Sequence, residues 1–99
     1  MHKNELAIPP QAESDPEAFE MLRAWAAGGA QHVSIMGPHY QNAAIWGVFL
    51  ADLVRHLARS HHLNFGDDLT STVRSIRSAF DAEMNSVTDW GEGNLIQKP

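Results

Sequence analysis

The chain has 99 residues, of which 43% are hydrophobic and 19% are charged, and its formal net charge is −5. This length favours one domain, and the composition is typical of a folded protein rather than a disordered chain. The negative net charge opposes nucleic acids and anionic membranes as partners, because both bind basic surfaces. The absence of cysteine excludes disulfides, thiolate metal sites and cysteine nucleophiles.

The apolar segments of the sequence are short. The longest runs from Ala43 to Ala51, whereas a helix that spans a bilayer needs about 18–20 apolar residues. The N-terminal sequence MHKNELAIPPQ contains no apolar core of signal-peptide length. We therefore expect a cytoplasmic protein without a membrane partner.

Residues 1–14 are predicted to form an extended N-terminal arm. The apolar segment Leu6-Ala7-Ile8 is followed by Pro9-Pro10, and consecutive prolines favour extended or turn geometry. The sequence ELAI within this arm is able to supply a short edge strand.

A first helix is predicted from Pro16 to Ala27. Asp15 is a suitable N-cap, and proline is favoured at the first helical position. Gly28-Gly29 would then end the helix. Apolar residues recur at intervals of three and four, at Ala18, Phe19, Leu22, Trp25 and Ala26.

One clear strand follows in the sequence QHVSI. Val33 and Ile35 alternate with His32 and Ser34, the pattern of a half-buried strand whose two faces differ in polarity. Gly37-Pro38 then ends it.

Two further helices are predicted, from Ala43 to about His62 and from about Asp67 to Asn85. The first has a wide apolar face, which favours packing on more than one neighbour; it comprises Ile45, Trp46, Phe49, Leu50, Leu53, Val54 and Leu57. The second has a narrow apolar stripe, Leu69, Val73, Ile76, Phe80, Met84 and Val87. Residues 88–99 show no periodicity and are predicted to form a peripheral tail.

The predicted fold class is therefore α+β and mainly helical. The element order is a short strand in the arm, then α-β-α-α, with residues 15–87 as the core of a single domain. Three helices would pack on a small antiparallel sheet.

The lone strand predicts a homodimer. An isolated strand leaves backbone groups unpaired, and each one that is buried costs roughly 1–3 kcal/mol. Two partners are available, singly or together: the arm of the same chain, and the same strand of a second copy around a two-fold axis. Both together would give a four-stranded sheet. The dimer strand predicted here comprises Gln31, His32, Val33, Ser34 and Ile35.

Several segments resemble a known bacterial family, domain of unknown function 5076. They are NELAIPP, DPEAFEMLRAW, QHVSI, WGVFLADLVRHLA and IRSAFDAEMNS, and together they span most of the chain. The resemblance implies a small bacterial protein with an α+β fold, and it implies no catalytic residues.

The strongest candidate for chemistry is Asp52 with His56, four residues apart on one helix face. This spacing suits a carboxylate–histidine pair or two metal ligands. His32, on the more polar face of the strand, is a third candidate. The alternative is that Asp52 merely orients a boundary histidine and also pairs with Arg59. A zinc site needs three or four converging ligands, so the structural interpretation is favoured.

Other polar clusters have structural explanations. His61-His62 would be stabilised by the C-terminal end of a helix dipole. Arg74 and Arg77 could bind an anion, but Asp81 lies one turn beyond Arg77, which favours a solvated face. Trp90 would contact its own domain or a protein partner.

No phosphate-binding loop, dinucleotide fingerprint or nucleophile motif is present in the sequence. We expect a homodimeric structural or interaction module, without cofactor or catalytic activity. The alternative is a small-ligand or metal-binding protein that uses His32, Asp52 and His56.

Overall fold

The computed structural model describes residues 1–86 and 95–97. The elements in chain order are α1 (Pro10–Glu13), β1 (Leu22–Ala27), β2 (Ala30–Ile35), a 3₁₀ turn (Gly37–His39), α2 (Ala44–Phe65), α3 (Leu69–Ser86) and β3 (Leu95–Gln97). The predicted α+β class is confirmed, but the predicted element order is wrong. The chain divides into two compact units, Met1–Gly37 with Glu92–Pro99, and Pro38–Gly91. Val87 and Trp90 lie outside the described residues.

The helix predicted from Pro16 to Ala27 is wrong, because the second half of this segment is strand β1. It pairs antiparallel with β2, from Leu22 opposite Ile35 to Ala27 opposite Ala30. Gly28 and Gly29 have φ angles of 59° and 79°, which is the type I′ turn that matches the twist of a two-residue hairpin. The two glycines therefore connect two strands and do not end a helix.

The Asp15-Pro16 pair forms a turn where a helix start was predicted. The Glu17 N–H donates to Asp15 Oδ1 at 2.9 Å, and the Ala18 N–H donates to the Asp15 carbonyl at 3.0 Å. Aspartate and proline are favoured at the first two positions of a turn as much as at a helix N-terminus. The same two residues therefore fit both structures.

The N-terminal arm also differs from the prediction. Its sequence ELAI forms no strand, and residues Pro10–Glu13 form the one-turn helix α1. Proline at the first position of a helix loses no hydrogen bond, since that N–H has no partner within the helix. The two prolines therefore permit a helix to start between them.

The strand β2 pairs with β1 and β3 of its own chain, and not with the predicted N-terminal arm. It lies in the centre of a three-stranded sheet with the order β1-β2-β3. The strand β3, from the segment predicted as a tail, pairs parallel with it, Val33 opposite Leu95 and Ile35 opposite Gln97. The sheet is therefore mixed rather than antiparallel, and the lone-strand argument for a dimer no longer applies.

The two long helices are confirmed, with ends three residues or fewer from the predicted ones. Gly66 ends α2 with φ 73°, and its N–H donates to the His62 carbonyl at 2.9 Å, as at many helix C-termini. Asp68 Oδ2 accepts the Ser71 N–H at 2.9 Å and so caps α3. The backbone N–H and the side chain of Ser71 both hydrogen-bond this carboxyl and lower the pKa of Asp68.

The described residues contain few fully buried side chains. Helices α2 and α3 pack on each other, and Ala58 of α2 and Thr72 of α3 are the buried residues of the described part. The Thr72 hydroxyl donates to the Asp68 carbonyl at 2.8 Å. Small side chains at these positions allow a close approach of the two helices.

Within the described part of the chain, no helix combines the length and the hydropathy that a membrane span requires.

Candidate functional site

The main candidate surface is an apolar stripe along one side of α2, which we call the α2 stripe. It comprises Trp46, Phe49, Leu50, Leu53 and Leu57. The spacing of three and four residues places all five on one side of the helix. The leucines at 50, 53 and 57 are 45%, 37% and 43% exposed, so the stripe is only partly covered.

Aromatic contacts order the N-terminal end of the stripe. Trp46 lies edge-on to Tyr40, with ring centroids 5.6 Å apart, and edge-on to Phe49, with centroids 5.9 Å apart. His39 extends the series, 4.6 Å from Tyr40. These distances are typical of favourable edge-to-face pairs, so this end of the stripe is preorganised.

Helix α3 adds apolar surface to the same unit. Phe80 is 53% exposed and Met84 is 64% exposed, although both belong to the predicted apolar stripe of this helix. Val73 and Ile76 of that stripe are half-buried. The exposed apolar area of the helical unit is therefore larger than the α2 stripe alone.

The predicted pair Asp52 and His56 lies on the surface of α2. His56 Nε2 is 3.2 Å from Asp52 Oδ2, and the two side chains are 61% and 63% exposed. An exposed pair one turn apart on a helix contributes little to stability. The geometry fits a carboxylate that orients a histidine.

The third candidate ligand, His32, lies in β2 opposite Trp25. Its Nε2 is 3.1 Å from the Ala27 carbonyl oxygen, so this ring nitrogen contacts the backbone of the hairpin. Among residues 1–86 and 95–97, no three histidine, aspartate or glutamate side chains form a group that could hold a metal ion.

The histidines at the end of α2 connect this helix to the following loop. His61 Nδ1 is 3.2 Å from Asp67 Oδ2, and His62 Nδ1 is 2.9 Å from the Asp67 carbonyl oxygen. The His61 ring also contacts the Phe65 ring, with centroids 5.3 Å apart. The two imidazoles hold the loop between α2 and α3.

A shallow groove runs along α3 and contains the two arginines considered above as an anion site. It is lined by Leu69, Thr70, Val73, Arg74, Arg77, Ser78 and Asp81. All of these residues belong to one helix, so the groove is an open surface. Asp68 also lies close enough to Arg74 for the cation to lower the aspartate pKa, which offsets the positive charge.

The sequence did not predict the contacts between the arm and the β-hairpin. Arg23 Nη1 is 2.8 Å from Glu5, and Arg23 Nη2 is 3.0 Å from Glu20. The hydrogen bond and the charge of Glu20, with that of Glu5, raise the pKa of Arg23. The His2 ring lies 5.0 Å from Trp25, on the same strand face as Arg23. No local pattern links residues so far apart in sequence.

Comparison with known proteins identifies relatives. The family model of DUF5076, a domain of unknown function, matches residues 5–88. A structure described as a "putative pyruvate dehydrogenase from the photosynthetic bacterium Rhodopseudomonas palustrus CGA009" is 27% identical with a TM-score of 0.72. The match covers 92% of this chain and 93% of that one. No curated protein matches the chain. The chain belongs to the DUF5076 family.

Proposed function

We propose that the protein is a homodimeric interaction module and that two copies associate through the α2 stripe. The observation that carries this proposal is the exposure of Leu50, Leu53 and Leu57, which are 45%, 37% and 43% accessible on one side of the longest helix. A helix that is apolar on more than the side facing its neighbour needs a second surface to pack on.

Burial of this surface would favour association. Burying a whole leucine side chain contributes roughly 1.5–3 kcal/mol, so a leucine that is two-fifths exposed still offers roughly 0.6–1.2 kcal/mol. In a symmetric dimer each such residue is buried twice. Three leucines in two copies therefore supply several kcal/mol.

Self-pairing of β2 through Gln31–Ile35 has less support than the α2 stripe. This strand already pairs with β1 along its whole length and with β3 at Val33–Ile35. Pairing with a second copy at these positions would have to displace β3. The helix surface needs no such rearrangement.

The first test of the dimer is its mass in solution. Light scattering at micromolar concentration is expected to give twice the 11.0 kDa of one chain. A mass of one chain would contradict the proposal. It would indicate that the apolar surfaces are covered within a single copy.

The second test places a charge in the stripe. Leu57→Asp is expected to weaken dimerisation by roughly two to three orders of magnitude, since a buried unpaired carboxylate is introduced twice. Val48→Asp is the matched control, because Val48 is 72% exposed and lies on the opposite side of α2. Equal effects of both substitutions on the dissociation constant would disprove the assignment of the surface.

The second candidate function is small-ligand or metal binding by His32, Asp52 and His56. The contact between Asp52 and His56 supports a pair, and metal binding requires further ligands. This candidate predicts stoichiometric uptake of a divalent metal that His56→Ala abolishes, as measured by elemental analysis.

A further inference from the structure

The outer edge of β1 presents a regular row of backbone groups. The Met36 N–H donates to the Met21 carbonyl at 2.9 Å, so Met21 and Met36 form a hydrogen-bonded pair. From this pair along the β1–β2 ladder, hydrogen-bonded and non-hydrogen-bonded pairs alternate. Leu22, Ala24 and Ala26 are then the residues whose N–H and C=O groups point away from β2. In the described part of the chain, β1 is an edge strand with β2 as its neighbour.

The strand β1 itself contains none of the residues or irregularities that commonly protect edge strands. Such strands are usually interrupted by proline or a bulge, or carry a free charge. The sequence LRAWAA of β1 contains neither proline nor glycine, and its pairing with β2 is regular over all six residues. Its one charged residue, Arg23, is paired with both Glu5 and Glu20.

We propose that β1 pairs antiparallel with β1 of a second copy and that the two-fold axis passes beside Ala24. Ala24 then lies opposite Ala24 of the other copy, and Leu22 lies opposite Ala26. In this register, all the outward N–H and C=O groups of the three residues form hydrogen bonds. A shift by two residues in either direction leaves part of the row unpaired.

The side chains are compatible with this register. Leu22, Ala24 and Ala26 share one sheet face, and Arg23 and Trp25 share the other. Around the axis, small alanines meet at the centre and each leucine meets an alanine. Arg23 of one copy lies opposite Trp25 of the other, where a guanidinium and an indole attract each other. The apolar face of the sheet then continues from one copy to the next.

This inference rests on the proposed association of two copies, and it assigns a contact through β1 whose test is independent of the α2 stripe. The chain contains no cysteine, so a single introduced cysteine reports on the register. In a pair of this type, the two Ala24 Cα atoms lie about 5.5 Å apart, inside the range of about 4.4–6.8 Å that a disulfide requires. Ala24→Cys is therefore expected to form a disulfide-linked dimer under mild oxidation.

Ala26→Cys is the matched control, since it lies on the same strand, face and edge. Its two copies would be four residues apart in register, or about 14 Å, which is too far for a disulfide. The fraction of covalent dimer is read by non-reducing electrophoresis at low micromolar concentration. We expect most of the Ala24→Cys protein to be linked, and at least tenfold less of the Ala26→Cys protein.

The outcomes separate this inference from the proposed function. A dimeric mass without selective Ala24→Cys linkage would overturn the β1 contact and leave the homodimer intact. A monomeric mass would overturn both. Efficient linkage of both cysteine variants would indicate random collision and would also contradict the register.

Discussion

The β-hairpin Leu22–Ile35 and the helical hairpin Ala44–Ser86 differ in what they leave unsatisfied. In each of them the chain turns at glycine with a positive φ angle. These glycines are Gly28 and Gly29 in the β-hairpin and Gly66 in the helical hairpin. The helices satisfy their backbone groups internally and expose apolar side chains such as Leu57. The hairpin has a half-buried Arg23 and Trp25 under the arm, and β1 is an edge strand in the described part of the chain.

The difference teaches that one chain can present two surfaces of distinct chemistry. A helix stripe associates through apolar contact, which tolerates sliding and weakens when a charge is introduced. A strand edge associates through directional hydrogen bonds, which demand one register. The Leu57→Asp and Ala24→Cys experiments therefore probe different properties, namely the strength of association and its geometry.

The largest effect on folding within this comparison is expected at the turn of the β-hairpin. Gly29 has φ 79°, and a β-branched residue in the left-handed region costs about 2 kcal/mol. Gly29→Val should lower the protection of β1 and β2 amides in hydrogen exchange by roughly thirtyfold. The amides of α2 far from the turn serve as the internal reference. Unchanged protection of the hairpin would contradict the type I′ assignment.

A smaller loss is expected at the turn between the helices. Gly66 has φ 73° and open space where the β-carbon of a larger residue would lie, so strain alone opposes Gly66→Ala, at about 1 kcal/mol. The free energy of unfolding, measured with urea, should fall by that amount. An increase would show that the left-handed cap is not retained in solution.

Replacing a glycine by alanine inside α2 should change the free energy of unfolding in the opposite direction. Gly47 lies within α2 and has open space around its Cα. Gly47→Ala should raise the free energy of unfolding by about 0.5–1 kcal/mol, because alanine loses less backbone entropy in a helix. It is the matched control for Gly66→Ala. A loss of stability would indicate that another backbone packs against Gly47 in the assembled protein.

The smallest effect is expected at the N-cap of α3, and it depends on pH. The folded-state pKa of Asp68 lies below its ordinary value of 3.8, so its stabilising contribution is present above that pH and is lost as the pH falls through the folded-state pKa. Asp68→Ala should lower the melting temperature at neutral pH but not in strong acid. Asp68→Asn, which keeps the acceptor, should stay close to the parent protein at neutral pH. Equal melting temperatures of the alanine variant and the parent protein at neutral pH would refute the cap.

The extent to which local patterns predicted the fold differs along the chain. The two long helices were predictable because their apolar periodicity persists over many turns and Gly66 and Asp68 mark the connection. The segment before Gly28 was not. Its residues, MLRAWAA, have good helix propensity, and the pairing of β1 with β2 overrides that weak preference. A Gly-Gly pair between two segments of strand length is also a hairpin signal.

The candidate sites also divide into contacts that follow from local sequence patterns and contacts that only the folded chain creates. The contact of Asp52 with His56 follows from helical spacing alone, and so does the position of the α2 stripe on one helix side. The ion pair of Arg23 with Glu5 spans 18 positions and has no local signal. The degree to which each leucine of the stripe stays exposed also depends on which surfaces the other elements cover.

The amino-acid sequence by itself determined the composition class, the two long helices and the strand β2, because these depend on contacts between near neighbours in the chain. Only the tertiary structure decided that Leu22–Ala27 is a strand, that Leu95–Gln97 joins the sheet and that β1 lies at its edge among the described strands. Strand pairing satisfies backbone groups over long sequence separations. It is therefore a property of the folded chain rather than of any local segment.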